Sequence, residues 1–293
     1  MSIVVTGASG FVGARLTAFL QSRGERVVTL RRDGDAWQAL AGAKSVVHLA
    51  ARVHVMNEHS TNPLAEFRQV NVDASVFLAR QAAAAGVTRF VFISSVKVNG
   101  EHTLPNQPFT EDDDPCPEDA YGQSKHEAEV ALRQVALDTG LEVVIIRPPL
   151  VYGSGVKANF ASLMRAVGRG WPLPLGAINN SRSLVGLDNL VDFIDCCIKH
   201  PAAANQTFLV SDGHDVSSAE LVREMAFAAG VRPNLWTVSP WLLQWVAALL
   251  GKRIAVQRLC SSLQVDISKA RSVLGWEPIV SMQDELKRAF LKV

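Results

Sequence analysis

The first residues carry a pattern that admits few folds. Ser2 to Thr6 is a short run rich in β-branched apolar residues, as expected of a strand buried on both faces of a parallel sheet. It leads into Gly7-Ala8-Ser9-Gly10-Phe11-Val12-Gly13 and then a helical stretch from Ala14 to Arg23. Strand, glycine turn and helix in that order form a unit that can cradle a pyrophosphate. Gly7 permits the tight turn, Gly10 lets a phosphate reach the backbone, and Gly13 lets helix and strand pack closely. Ser9, Phe11 and Val12 complete the loop, where a helix N-terminus offers free N–H groups to an anion.

The alternation continues. A second strand, Arg26 to Leu30, ends in Arg31-Arg32. NAD-selective folds put an acidic residue there to hold the ribose 2′-hydroxyl, whereas arginine accommodates a 2′-phosphate. NADP(H) is therefore the favoured cofactor and NAD(H) the other. About a dozen residues separate this strand from the next, Ser45 to Leu49. They fit a short helical piece near Asp35 to Leu40 but not a third strand as well. The expected fold is α/β: a Rossmann-like doubly wound parallel sheet without its third edge strand, and a smaller C-terminal α+β substrate lobe.

Leu49, Ala50 and Ala51, at a strand's carboxyl end, should face the cofactor, and the following loop with His54 should face the substrate. Pro63 to Ala85 reads as one long helix stopped by Gly86. Arg89 to Ser95 reads as a buried strand. A strand from Leu141 to Arg147 is halted by Pro148-Pro149, so Pro148 to Gly153, with Val151, should bend beside the nicotinamide. The helical Leu187 to Lys199 and the strand Thr207 to Val210 return to the sheet. The dinucleotide-binding domain is thus expected over 1–153 plus about 184–211, and the substrate lobe over about 154–183 plus 212–293.

Chemistry enters at Tyr121-Gly122-Gln123-Ser124-Lys125, which opens a helical run reaching about Leu137. Residues four apart share one helix face, so the ammonium can lie beside the phenol. A free phenol has a pKa of about 10. A neighbouring cation would lower it and make Tyr121 a usable acid/base at a carbinol or carbonyl oxygen. Ser95, at the carboxyl end of its strand, can donate a hydrogen bond to the same oxygen. Glycine loop, Ser95, Tyr121 and Lys125 in this order point to hydride transfer.

Net charge +1 gives no reason to propose a nucleic-acid or anionic-membrane partner. Cys116, Cys196, Cys197 and Cys260 show no C-x-x-C spacing. Reduced buried thiols are expected, with no metal site. A strand beginning at Ser2 leaves no room for a signal peptide, so a cytoplasmic location is expected. The most apolar segment, Trp241 to Leu250, spans ~15 Å as a helix, about half a bilayer core. It is expected to be a core or oligomer-interface helix rather than one in contact with a membrane.

With Gly7-x-x-Gly10-x-x-Gly13, Ser95 and Tyr121-x-x-x-Lys125, the chain resembles the extended short-chain dehydrogenase/reductases, in their NAD-dependent epimerase/dehydratase branch. His48-Leu-Ala-Ala51, Asn71-Val72, Arg147-Pro-Pro-Leu-Val-Tyr-Gly153 and Asp266-Ile-Ser-Lys-Ala270 extend the likeness over almost the whole length. The resemblance implies Ser95, Tyr121 and Lys125 as the catalytic set, with Lys125 also holding the nicotinamide ribose. It implies a UDP-sugar substrate whose diphosphate meets Arg182 and Asn159, with Arg258 serving the nucleotide and Lys97 helping in the sugar pocket. A homodimer pairing the Pro63–Ala85 and Tyr121–Leu137 helices is expected by the same likeness.

Val96-Lys97 after Ser95 replace the carboxylate pair that a 4,6-dehydratase needs, which sets that chemistry aside. Arg31-Arg32 and the thinned adenine side favour an exchangeable cofactor. The expected reaction is therefore reduction of a nucleotide-linked 4-keto-6-deoxy sugar, of the UDP-N-acetylhexosamine type, for bacterial surface polysaccharide. The alternatives are a UDP-sugar 4-epimerase with tightly bound NAD and, in another class, a non-catalytic dinucleotide-binding sensor.

Overall fold

Near-continuous burial along short apolar runs builds a sheet covered on both faces. The structure is a computed structural model that describes residues 2–31, 34–53, 62–104, 106–249 and 253–291. Its strands are β1 (Ser2–Thr6), β2 (Arg26–Leu30), β3 (Ala43–His48), β4 (Arg89–Ile93), β5 (Glu142–Arg147), β6 (Leu150–Tyr152), β7 (Leu184–Gly186) and β8 (Thr207–Leu209). Six form a sheet in the order β2-β1-β3-β4-β5-β8, every pairing parallel. After α1 (Phe11–Ser22) and β2, the short helix α2 (Ala36–Leu40) leads directly to β3. Among the described residues no third edge strand is present, as expected, and β2 is left as a partly exposed edge.

Successive residues of each strand serve opposite layers. Ile3, Val5, Val47, Val91, Val144 and Ile146 pack with Leu16 and Leu20 of α1 and Leu190 and Ile194 of the helix Leu187–Lys199. Val4, Val46, Phe90, Phe92, Val143 and Ile145 face the other side, against Leu78 and Leu132. Leu78 and Leu132 belong to the second layer of helices: α3 (Pro63–Arg68), α4 (Ala74–Ala84) and α5 (Ala120–Thr139).

The single helix expected over Pro63 to Ala85 is divided. A π-helical turn, Gln69–Asp73, joins α3 to α4. The extra residue in that turn buries Asn71 towards α5, and tertiary hydrogen bonds hold it there. After Pro148-Pro149 interrupts the ladder the chain does not simply bend: β6 runs parallel to β7 in a second, two-stranded sheet.

The remaining helices are α6 (Ala158–Gly168), α7 (Leu187–Lys199), α8 (Ser218–Ala228), α9 (Pro240–Leu249), α10 (Arg253–Cys260), α11 (Ser268–Leu274) and α12 (Met282–Phe290). A third apolar cluster gathers Tyr152, Phe160, Met164, Val222, Met225 and Leu286 from β6, α6, α8 and α12. On α9, Leu243 packs against this cluster, but Trp241, Leu242 and Trp245 are exposed. A core role for the whole helix is thereby corrected. The thiols are free, as expected, yet not all buried: Cys116 is exposed. No helix among the described residues is long and apolar enough to cross a membrane.

Candidate active site

The glycine turn closes so tightly that side chains are barred from it. Gly7 has φ +67°, and a Cβ there would meet the Ala50 backbone nitrogen at 2.8 Å. A Cβ on Gly13 would lie 2.1 Å from the Gly7 carbonyl oxygen. Only glycine lets α1 sit so close to the turn. Gly10 caps α1 without a side-chain hydrogen bond, and Ser9 and Gly10 are exposed. The first-turn N–H groups are therefore presented outward, an arrangement that fits a dinucleotide pyrophosphate. Phe11 and Val12 flank the turn half-buried, and Leu49, Ala50 and Ala51 lie across it in the same state. The Ala50 N–H donates to Thr6 Oγ1 at 3.2 Å. Arg31 is exposed just beyond β2. Arg32 and His54 lie outside the described residues.

At the end of β4 the chain passes through Ser94 and Ser95 into a 3-10 turn, Val96–Val98. This places Ser95, whose Oγ accepts from the Lys97 N–H at 3.2 Å, beside the Tyr121 phenol on the first turn of α5. Pro148 is buried behind the turn, its carbonyl accepting from the Val96 N–H at 3.0 Å, and Val151 is half-buried against the core. Lys125, one helical turn beyond Tyr121, is buried. Its Nζ donates to the Ile93 carbonyl at 2.6 Å and stands 4.2 Å from the centroid of the Phe92 ring.

The electrostatics differ from the sequence expectation. Burial first, then the Asp119 carboxylate, pushes the Tyr121 phenol up to about 12, while the Ser95 hydrogen bond pulls the other way. Burial draws the Lys125 ammonium down to about 7, against an opposing pull from Glu129. The lysine therefore does not lower the phenol here. It is directed at a carbonyl, and desolvation outweighs cation stabilisation.

This arrangement predicts a pH signature. Unfolded, Lys125 keeps its proton up to about 10.5; folded, it releases it near 7. Between these values the unfolded chain binds more protons, so the Lys125 contribution to stability rises with pH. The rise holds up to about 10, where Tyr121 begins to act in the opposite sense because its folded pKa is raised. Lys125→Met should flatten the slope of unfolding free energy from about pH 7 to 10, measured by urea denaturation. An unchanged slope would mean that the buried ammonium keeps its charge.

Three residues of this neighbourhood had no site signal in the sequence. Asp119 caps α5, accepting from the Gly122 N–H at 2.7 Å, and it is the charge that acts on Tyr121. A capping role is readable from an aspartate before a helix, but its closeness to the phenol is not. Asn71 donates to Ser124 Oγ at 2.9 Å and accepts from the Arg52 N–H at 2.8 Å. Ser124 Oγ donates in turn to the Tyr121 carbonyl at 2.8 Å, so the π-helical turn braces the start of α5. Glu129, fully buried, binds Ser94 and Arg147.

The residues expected on the substrate come from different elements of the fold. Lys97 is ion-paired to Asp119 and, at 2.6 Å, to Glu101. These ion pairs hold its ammonium between the turn after β4 and the start of α5. Arg182 is half-exposed, its Nη1 donating to the Ser261 carbonyl at 3.0 Å. Asn159 is exposed on the first turn of α6. Arg258 lies on α10, and its side chain is outside the described residues. Among the described residues no group of His, Cys, Asp or Glu is placed to hold a metal ion.

A parallel sheet with a glycine cradle at β1 and a Ser–Tyr–Lys constellation at the ends of β4 and α5 defines a dinucleotide-dependent enzyme of the extended short-chain dehydrogenase/reductase class. The model of the NAD dependent epimerase/dehydratase family matches residues 3–211, and the chain belongs to that family. It is 48% identical to a UDP-glucose 4-epimerase of Vibrio cholerae, over 99% of this chain and 96% of that protein. The structure of MoeE5 in complex with UDP-glucose and NAD superimposes with TM-score 0.79 at 26% identity, covering 99% of this chain and 98% of that one. RMD from Pseudomonas aeruginosa, complexed with NADPH, superimposes with TM-score 0.78 at 22% identity, covering 100% of this chain and 99% of that one.

Proposed function

We propose that this chain interconverts the C4 epimers of a UDP-hexose. What supports the reading is the 48% identity, over nearly the full length of both chains, to a UDP-glucose 4-epimerase. This places the epimerase ahead of the 4-keto-sugar reduction that the sequence had favoured. A bound dinucleotide supplies an acceptor, and later a donor, for one hydride. The rest falls to this chain. The Gly7–Gly13 turn and the start of α1 hold the pyrophosphate. Tyr121, acting as the phenolate, takes the proton of the C4 hydroxyl while the C4 hydrogen leaves as hydride, with Ser95 donating to the same oxygen. The same phenol returns the proton when hydride comes back to the opposite face of the keto-sugar. In this role Lys125 contacts the nicotinamide ribose, and Arg182, Asn159 and Arg258 receive the UDP diphosphate.

Arg31 favours a second reading. An exposed arginine just beyond β2 suits a 2′-phosphate, and so an NADPH-dependent reductase. One assay separates the two. The purified protein is given UDP-glucose without added cofactor, then UDP-4-keto-6-deoxy-N-acetylglucosamine with NADPH. Appearance of UDP-galactose in the first tube supports the epimerase. Stoichiometric NADPH oxidation in the second, with nothing in the first, replaces it with the reductase.

We also propose a homodimer through α4 and α5, whose outer faces expose Phe77, Val130 and Leu137. Light scattering should give twice the chain mass, and Leu137→Lys should shift it towards the monomer. A wild-type monomer would remove the proposal.

A further inference from the structure

Charge and tryptophan are unevenly spread in this chain, and the net charge of +1 conceals it. Residues 148–187 and 225–265 carry eight Lys or Arg and no Asp or Glu. The fold sews the two segments together. The Leu173 N–H donates to Asn234 O, Trp236 N–H to Leu173 O, Gly176 N–H to Trp236 O, and Leu263 N–H to Ser181 O, all within 3.0 Å. Four tryptophans lie on these segments with most of their surface in solvent: Trp171 at 56%, Trp236 at 61%, Trp241 at 72% and Trp245 at 57%.

Helix α9 shows how this face is made. Leu243 turns inward to the third apolar cluster, while Trp241 and Trp245, one turn apart, share the outward face with Leu242. Basic residues border the indoles. The Arg169 guanidinium stands 5.8 Å from the Trp171 ring centroid, and Arg232 is exposed four residues before Trp236. A second copy of the chain across a two-fold axis would set these cations against each other. Tryptophan, with an apolar body and one N–H, and arginine, with an apolar stem and a charged tip, both suit the boundary between headgroups and acyl chains. No described helix is long and apolar enough to span a bilayer, so contact would be parallel to the surface.

We propose that the face built by Trp171, Trp236, Trp241, Leu242 and Trp245 rests on an anionic lipid surface. Peripheral attachment of this kind follows from the aromatic and basic side chains together, whichever sugar reaction the site performs. The test is sedimentation of the full chain with vesicles of equal parts phosphatidylcholine and phosphatidylglycerol, and with vesicles of phosphatidylcholine alone. The protein should sediment with the mixed vesicles, with a blue shift of tryptophan emission, and far less with the neutral ones. Trp241→Ser with Trp245→Ser should weaken partition by about ten-fold or more, leaving turnover in solution unchanged. Arg169→Gln with Arg232→Gln provides an independent variant: it should weaken binding to the mixed vesicles and leave the neutral ones unaffected. Failure to sediment with mixed vesicles, equal partition of wild type and both variants, or loss of a dimer in the tryptophan variant would overturn the proposal.

Discussion

Tyr121→Phe should abolish most turnover, by about 10²–10⁴-fold, while dinucleotide binding stays at the wild-type level. The substitution deletes one oxygen and leaves the ring, which packs edge-on to Phe67 with centroids 6.1 Å apart. The fold has little reason to respond. The chemistry loses the group proposed to exchange a proton at C4, while Ser95 keeps its hydrogen bond from the Lys97 N–H. The measurement is UDP-sugar interconversion beside a fluorescence titration with NADH. Undiminished turnover would remove the phenol from the mechanism. Lost cofactor binding would show instead that Tyr121 serves mainly to hold the dinucleotide. A wild type that binds the dinucleotide and turns over neither substrate would return the chain to the sensor reading.

The second large effect is expected on stability. Glu129 accepts from Arg147 Nε at 2.9 Å and Nη2 at 2.6 Å, and from Ser94 Oγ at 2.6 Å. Both members of the ion pair are buried, and Arg147 also donates to Asn99 Oδ1 at 3.0 Å. Removing one partner leaves a buried charge uncompensated, which typically costs 3–5 kcal/mol. Glu129→Ala should therefore lower the unfolding free energy by about that amount in urea denaturation. Replacing both charges, with Glu129→Leu and Arg147→Met, should recover most of the loss, because the desolvation of both ions is then avoided. A loss below about 1 kcal/mol in Glu129→Ala would mean that water reaches Arg147. The cluster also borders the site. Ser94 precedes Ser95, Glu129 lies one helical turn past Lys125, and its charge helps that ammonium keep its proton.

Both variants test residues that differ in how readable they were. Tyr121 and Lys125 stand at a helical spacing that any reader of the chain can count. Glu129 looks in the sequence like an ordinary helix carboxylate with an i,i+4 arginine, Arg133, because its buried partners Arg147 and Ser94 are 18 and 35 residues away. Asn71 was legible as part of a long helix and of the family likeness, not as a brace. Its function as a brace depends on a π-helical turn for which the residues 69–73 give no evident local signal. Lys97 was placed in the sugar pocket by likeness alone, and the carboxylates that hold it come from Glu101 and Asp119.

The chain by itself determined the parallel sheet, the absent edge strand, the glycine cradle and the shared helix face of Tyr121 and Lys125. Each follows from a short-range rule: burial of β-branched runs, the length of one connection, the reach of a Cβ, and 3.6 residues per turn. Only the tertiary structure decided the charge states around the phenol. Those depend on how completely water is excluded and on which distant groups come to lie nearby, Asp119 by Tyr121 and the Ile93 carbonyl by Lys125. Desolvation and Coulomb interaction act through space, so their balance appears once the chain has folded.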